Sequence, residues 1–593
     1  MPPETEAIAK PALRSANKDW LRALEMTGRL EARPNRILPS VIDEQAERLG
    51  EAPALLSESE TLSFPALAGR VRRYGRWALE SGLGKGDVVA LLMPNRPEYL
   101  AAWLGLTRVG VVTGLLNPEL RGASLAHCVG VARAKRIIVD ARLAGGLLEA
   151  IGVEGPPIVV HGEGWSGLPR IDLELATLPA EAAGPEVTLA DPALLIYTSG
   201  TTGLPKAARV SHHRVMSWSY WFAGLADIRP TDRLYDCLPL CHSAGGVAAV
   251  GAALVGGAST VIAPKFSASR FWDEVTDWEC TLFQYIGELC RYLLAAPPHP
   301  RERAHRLRLC CGNGLAGDVW TAFQQRFAVP QILEFYAATE GTFSLYNVEG
   351  KPGAIGRVPP LLRHRFPAAI VKYDADARAP ARNPEGFCIP CASGEAGEAI
   401  GRIASQGTGR FEGYTDIAES QKKLLRDVFA PGDAWFRTGD LMRQDDQAFW
   451  YFVDRIGDTF RWKGENVSAA EVAEALRAFP GIRDASVYGV VVPGAGGRAG
   501  MAAVVAGPDF DLAVLPAHLA ARLPDYARPV FLRLVPTLAV TETFKPKKAA
   551  LAEEGYDPGR SDDPLYLYDR ERGAYVGLDA DLLAQVREGR LRL

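Results

Sequence analysis

The 593-residue sequence has no strong charge of either sign: 66 Lys and Arg stand against 70 Asp and Glu, for a formal net charge of −4. A nucleic-acid partner needs a concentrated cationic face, and no clustered Lys/Arg run supplies one, so nucleic acid is excluded as a ligand. Long apolar runs are equally scarce. Met1 to Lys18 carry none, which predicts neither a signal peptide nor an N-terminal membrane anchor. Ser243 to Pro264 is free of charge, but it is rich in Gly and Ala, breaks at Gly256-Gly257 and turns β-branched at Thr260-Val261-Ile262. It reads as a buried helix, turn and strand. The nine cysteines are odd in number and scattered, which predicts a reducing, cytoplasmic setting. Cys388-Ile389-Pro390-Cys391 has the spacing of a metal knuckle or redox pair, yet no second Cys/His pair completes a zinc site and no βαβ pattern adjoins it, so it is read as structural. His242-Ser243 lacks the Gly-x-Ser-x-Gly elbow of a hydrolase. Gly494 to Gly500 has the wrong spacing for a dinucleotide loop and is followed by a strand, so it is read as a hairpin loop.

What the chain does have is a repeated grammar of amphipathic helix, short β-branched strand, and Gly, Pro or Asn. Ala66 to Leu92 shows it, as do the segments ending at Val111-Val112, Arg136 to Val139 and Thr260 to Ile262. That alternation predicts layered α/β structure with mostly parallel sheets, as far as about Ile332. From about 355 to 453 the strands become shorter and more polar between glycine turns, which predicts a β-rich subdomain. Beyond Asp454 a helix (469–478), two strands (485–492 and 501–506) and a helix (512–523) predict a small α+β domain. The amphipathic tail around Leu582 to Val586 is expected to pack back on a neighbour. The division is therefore 1–454, containing the β-rich subdomain, and 455–593.

The strongest local signal is an apolar strand, Leu194-Leu195-Ile196-Tyr197, running into Thr198-Ser199-Gly200-Thr201-Thr202-Gly203-Leu204-Pro205-Lys206. Glycines let the backbone approach phosphates, hydroxyls add donors, and Lys206 supplies a cation for the β- and γ-phosphates. It is no Walker loop, because Leu-Pro separates Gly203 from Lys206 and no Ser or Thr follows the lysine.

This loop resembles that of the adenylate-forming superfamily, which includes acyl-CoA synthetases, luciferases and peptide-synthetase adenylation domains. Four further motifs follow in that superfamily's order: Cys311-Gly312-Asn313-Gly314-Leu315, Tyr336-Ala337-Ala338-Thr339-Glu340-Gly341, Trp435 to Asp440, and Asp454-Arg455-Ile456-Gly457-Asp458. From about Ala52 onward the sequence is most similar to the very-long-chain acyl-CoA synthetase and fatty acid transport protein family, on Asp454 to Ser468, Leu238 to Gly245 and Asp433 to Leu441. Ala337 and Ala448 stand where that family usually has glycine, which puts the local backbone geometry in question.

The resemblance implies an AMP-forming acid–thiol ligase of fatty acid metabolism. ATP and a carboxylate, a long- or very-long-chain fatty acid, would give acyl-AMP and pyrophosphate, and coenzyme A would then take the acyl group. It assigns ATP phosphates to Thr198 through Gly203 and Lys206, with Thr201 catalytic, and Mg²⁺ to Glu340, also catalytic, beside Thr339. Adenine falls to Gly312, Asn313, Gly314 and Tyr336, the ribose to Asp440, and Arg455 joins the nucleotide. His242 would line the acyl pocket, with a satisfied core histidine as the alternative. Trp462, Lys463 and Gly464 would border coenzyme A. Gly457 and Asp458 would be the hinge about which the C-terminal domain rotates between half-reactions, carrying the catalytic Lys545 with it. Lys547 and Lys548 are read as a solvated basic loop. Three alternatives remain open at this stage: a ligase for bile, carnitine-like or aromatic acids, a membrane fatty acid transporter, and a luciferase-like or carrier-loading adenylase. Peripheral attachment to the inner face of the membrane also stays open.

Overall fold

β-branched runs too short to form helices pair side by side once the amphipathic helices between them cover both faces, and two sheets of the protein arise in this way. The structure, a computed structural model, describes residues 15–593 apart from 153–154, 166, 181–183, 199–203, 375–376, 405–408, 464, 494–496, 541–547 and 592–593. The chain divides into two compact units, one of residues 1–367, 401–424 and 448–450, the other of residues 368–400, 425–447 and 451–593.

Among the described residues, the first unit holds a six-stranded and an eight-stranded sheet. The six-stranded sheet runs Ile158–His161, Arg136–Asp140, Val88–Leu92, Val112–Leu116, Pro192–Thr198 and Lys206–Ser211. Its strands are parallel up to Pro192–Thr198, and the last pair is antiparallel. Leu92, Ile137, Val139 and Leu195 fill its core against the helix Gly122–Ala132. The eight-stranded sheet is parallel through its middle and antiparallel at both edges, where Ser344–Asn347 and Thr61–Ser63 lie. The parallel α/β layers expected from the sequence are present, with antiparallel strands added where short turns replace crossover helices.

Ser243 to Pro264 folds as a π-helix, Ser243–Ala249, an α-helix, Val250–Gly256, and the strand Ser259–Ile262. Among the described residues no helix is long and apolar enough to cross a membrane.

A five-stranded sheet, most of whose residues fall in the second unit, combines Ala368–Val371, Gly397–Arg402, Ala434–Gln444, Leu424–Arg426 and Trp450–Arg455. Cys388 and Cys391 belong to this region, and burial pushes both thiols up, that of Cys391 to about 11, which leaves them poor nucleophiles. Ala448 takes a φ of 64°, the left-handed conformation that glycine adopts without cost, so the departure noted in the sequence is a real backbone strain.

Toward the C-terminus, helix Ala469–Arg477, capped by the Ser468 hydroxyl, packs on the strand Ile482–Val491, which pairs antiparallel with Arg498–Ala506. Of the segment 494–500, expected to be a hairpin loop, Arg498, Ala499 and Gly500 belong to the second strand, paired with Val491, Val490 and Gly489, and residues 494–496 lie outside the described set. The tail helix Ala580–Arg587 returns Leu583 and Val586 to the same core.

Candidate active site

The strand Pro192–Thr198 ends where the glycine-rich loop begins, and Thr198 pairs in register with Lys206 on the returning antiparallel strand. The loop therefore bridges two strands of one sheet, where a Walker loop would lead into a helix. Its central residues Ser199, Gly200, Thr201, Thr202 and Gly203 lie outside the described residues. His127 Nε2 lies 3.0 Å from the Pro205 carbonyl oxygen and holds the loop's far end. Lys206 Nζ pairs with the carboxylate of Glu419, which that hydrogen bond and a second from Lys422 hold below its usual range.

Thr339, Glu340 and Gly341 form a turn just beyond the strand Ile332–Ala337, and two residues that sequence reasoning missed clamp it. Arg214, buried in the helix His212–Ala226, donates to the carbonyls of Thr339 at 2.8 Å, Gly341 at 3.1 Å and Arg410 at 2.7 Å. Its charge is offset by Glu412, 3.6 Å away, which also accepts from the Ser211 hydroxyl at 2.6 Å. Tyr414 donates its hydroxyl to Glu340 Oε1 at 2.5 Å and also hydrogen-bonds with Thr198. Burial, and then the charge of Glu340, push the Tyr414 phenol upward, so it stays a donor. Lys423 Nζ is 3.9 Å from the same carboxylate oxygen. Glu340 is thus a buried carboxylate with one hydroxyl on Oε1, Lys423 3.9 Å away and the charge of Arg214 nearby. Among the described residues no cluster of three or more His, Cys, Asp or Glu is placed to hold a metal unaided. A single buried carboxylate is a donor that fits Mg²⁺, an ion held through one or two carboxylates with phosphates and water completing its coordination.

Gly312 and Asn313 end the strand Leu309–Asn313, and Gly314 turns the chain with a φ of 81°. A Cβ on Gly312 would fall 2.2 Å from the Tyr285 carbonyl oxygen, so only glycine fits there. Tyr336, half-buried on the next strand, has its ring centroid 5.9 Å from that of Phe343. His242 precedes the π-helix, and the segment leading to it is pinned by Asn95, which donates to the Leu238 carbonyl at 2.8 Å and accepts from the Leu240 N–H at 3.0 Å. Ser243 Oγ lies 2.9 Å from Thr339 Oγ1, which joins the His242 segment to the Glu340 turn. π-helical turns of this kind recur at functional sites.

In the second unit, Arg437 forms an ion pair with the buried Glu398 at 2.7 Å, and Thr438 donates to the Ala399 carbonyl at 2.7 Å. These contacts fix the turn through Gly439, whose φ is 79°, and present Asp440 with Arg455 Nε at 3.8 Å. Gly457 and Asp458 lie in the turn that follows, held by the Ile456 N–H on the Gly439 carbonyl at 2.9 Å. Trp462 packs into the core of this unit, Lys463 is exposed with a φ of 53°, and Gly464 is outside the described residues. Lys545 and Lys547 also lie outside them. Lys548 corrects the sequence reading: it opens the helix Lys548–Glu554 with Nζ 3.3 Å from an Asp458 oxygen, so it is partnered and partly buried, not loose in solvent.

Residues 42–414 match the AMP-binding enzyme family, and residues 471–545 match the AMP-binding enzyme C-terminal domain. The chain belongs to the AMP-binding enzyme family. This AMP-binding enzyme is 42% identical over 579 residues to long-chain fatty acid transport protein 1 of Mus musculus, covering 95% of this chain and 90% of that one. Long-chain fatty acid transport protein 3 of Homo sapiens is 42% identical over 524 residues, or 86% of this chain and 76% of its own. The chain is therefore also a member of the fatty acid transport protein family, whose members are acyl-CoA synthetases, and it is an AMP-forming acid–CoA ligase. The fold agrees. ATP-bound MatB from Rhodopseudomonas palustris superposes with a TM-score of 0.74 at 23% identity, covering 87% of this chain and 98% of that one. The anthranilate CoA ligase AuaEII in complex with anthranoyl-AMP gives 0.74 at 21% identity, covering 86% and 96%. In this AMP-binding enzyme ATP and coenzyme A are the co-substrates typical of the family.

Proposed function

We propose that the acid is a long-chain fatty acid. The observation that carries this is the similarity to the long-chain fatty acid transport proteins along 95% of the chain. A carboxylate oxygen attacks the α-phosphorus of ATP and pyrophosphate leaves. The thiol of coenzyme A then attacks the acyl carbon and AMP leaves with the bridging oxygen.

The first step brings two anions together, so donors and cations must already be in place. Lys206 and the loop through Thr201 hold the phosphates, and the Lys206–Glu419 pair keeps that ammonium from wandering. Glu340, fixed by Arg214 and Tyr414, would hold Mg²⁺, which would supply charge neutralisation at the phosphates. Tyr336 and the Gly312–Gly314 turn take the adenine, Asp440 the ribose hydroxyls, and Arg455 steadies Asp440. Lys545 offsets charge where the carboxylate meets the α-phosphate. His242, on its pinned segment, lines the acyl site. Gly464 and Lys463 border coenzyme A, and Trp462 anchors their hairpin. Gly457 and Asp458 are the hinge of a C-terminal domain running from about 455. We place the protein in the cytoplasm, with peripheral attachment at the inner membrane face where its fatty acid is met.

Oxygen-18 in the fatty acid carboxylate tests the route. One labelled oxygen per turnover should appear in the AMP phosphate. Unlabelled AMP would rule out an acyl-adenylate.

A further inference from the structure

We propose that Glu334 is a positioning residue for the purine base of ATP, fixing the turn Gly312–Leu315 against the strand that carries Tyr336. The inference rests on the adenine reading above and adds a residue that takes no part in the chemistry.

Tyr285, Gly312 and Glu334 lie side by side on three neighbouring strands. With no side chain on Gly312, the Tyr285 ring passes over it: a Cβ there would meet ring atom Cδ2 at 2.5 Å. The Tyr285 hydroxyl thereby reaches Glu334 Oε2. The other oxygen, Oε1, accepts from the Leu315 N–H at 3.0 Å, and the Gly314 N–H also donates to the carboxyl. Glu334 is 1% exposed and Tyr285 is 0% exposed, so water cannot replace these partners. Tyr336 stands two residues along the same strand and therefore on the same face as Glu334.

One side chain thus links the two elements that are to enclose the base. Its backbone belongs to the strand of Tyr336, and its carboxyl holds the turn opposite. An apolar residue would fill this buried place at lower desolvation cost, so stability alone does not account for an acid here. Burial pushes the Glu334 carboxyl up to about 8. The titratable groups facing it are Tyr285, Cys290 and Cys311, all pushed upward by burial, so none carries charge near neutrality. The Tyr285 hydroxyl donates to Oε2 and the Leu315 N–H to Oε1; a glutamine keeps the acceptor for Leu315 and turns its NH₂ toward the Tyr285 hydroxyl oxygen, which can accept.

The test compares Glu334→Leu, Glu334→Gln and Tyr336→Ala in the full-length enzyme by steady-state pyrophosphate release and by AMP titration in a calorimeter. Glu334→Leu should raise the KM for ATP and the Kd for AMP by about tenfold, as expected for a buried N–H left unpaired. The KM values for fatty acid and coenzyme A, and kcat at saturating ATP, should stay within about twofold. Its preference for ATP over ITP should narrow, which a purely structural role would not produce. Glu334→Gln should retain near-native values, and this guards against reading a misfolded leucine variant as support. A loss in Glu334→Gln as large as in Glu334→Leu, or unchanged ATP and AMP constants in Glu334→Leu, would overturn the proposal. If Tyr336→Ala also left ATP binding unchanged, the adenine reading itself would fall. If Tyr336→Ala weakened binding and Glu334→Leu did not, the positioning role alone would fall.

Discussion

The Tyr414 hydroxyl donates to Glu340 Oε1 at 2.5 Å across 74 positions of sequence, and through Thr198 it ties the carboxylate to the start of the phosphate loop. A hydrogen bond to a charged group in a buried site contributes about 1.5–3 kcal/mol. Part of that holds the carboxylate in one orientation, the one in which the proposal has it meet Mg²⁺.

Tyr414→Phe should therefore raise the Mg²⁺ concentration for half-maximal pyrophosphate release by about five- to tenfold at saturating ATP. Glu340→Gln should raise it further. An unchanged Mg²⁺ curve in both variants would show that neither residue serves the metal.

Of this arrangement the sequence displays one half. Glu340 is legible because its partners in the motif, Tyr336 and Thr339, lie within four residues. Arg214, Tyr414 and Glu334 were not legible, because their roles depend on contacts 125, 74 and 49 positions away, respectively. The only local sign of Tyr414 is the glycine before it, whose φ is 71°. The parallel layers were legible because helix and strand alternate in period. The π-helix after His242 was not, since an i→i+5 turn and an α-helix share the same apolar composition in Ser243 to Gly256.

Variants at Lys545 and Gly464 test whether the two half-reactions are separable as proposed. Lys545→Ala should cut adenylation by a hundredfold or more, a loss of about 3 kcal/mol of transition-state stabilisation, and spare thioester formation from supplied acyl-AMP. Gly464→Leu should do the reverse. Rapid-quench assays of each step decide, and equal loss of both steps in either variant contradicts the assignment. Selective loss in Lys547→Ala and not in Lys545→Ala would shift the catalytic lysine by two positions.

Ala448 bears on stability alone. Relief of a left-handed alanine contributes about 1–2 kcal/mol, and the extra unfolded-state freedom of glycine offsets roughly 0.4–1 kcal/mol of it. Ala448→Gly should therefore gain about 0.5–1 kcal/mol in denaturant unfolding. A loss of stability would contradict the φ of 64°.

Glu334 also gives a pH dependence. Its folded carboxyl sits at about 8, above the ordinary 4.5, so the folded protein keeps a proton that the unfolded chain releases. That contribution is full below about pH 4.5 and is lost as pH rises through 8. Between pH 6 and 8.5 the wild type should lose more thermal stability than Glu334→Gln, with a slope difference of at most about 1.4 kcal/mol per pH unit. Parallel curves would place the carboxyl in the ordinary range.

The central claim is that this ligase takes long-chain fatty acids, and a panel of acids settles it most directly. Saturated acids of graded length, a bile acid, a carnitine-like acid and benzoate are each supplied with ATP, Mg²⁺ and coenzyme A, and kcat/KM for acyl-CoA formation is measured. The account expects the highest value among the long-chain fatty acids, with AMP, pyrophosphate and acyl-CoA formed one for one. A higher value for the bile acid, the carnitine-like acid or benzoate, or no pyrophosphate release with any fatty acid, would contradict it.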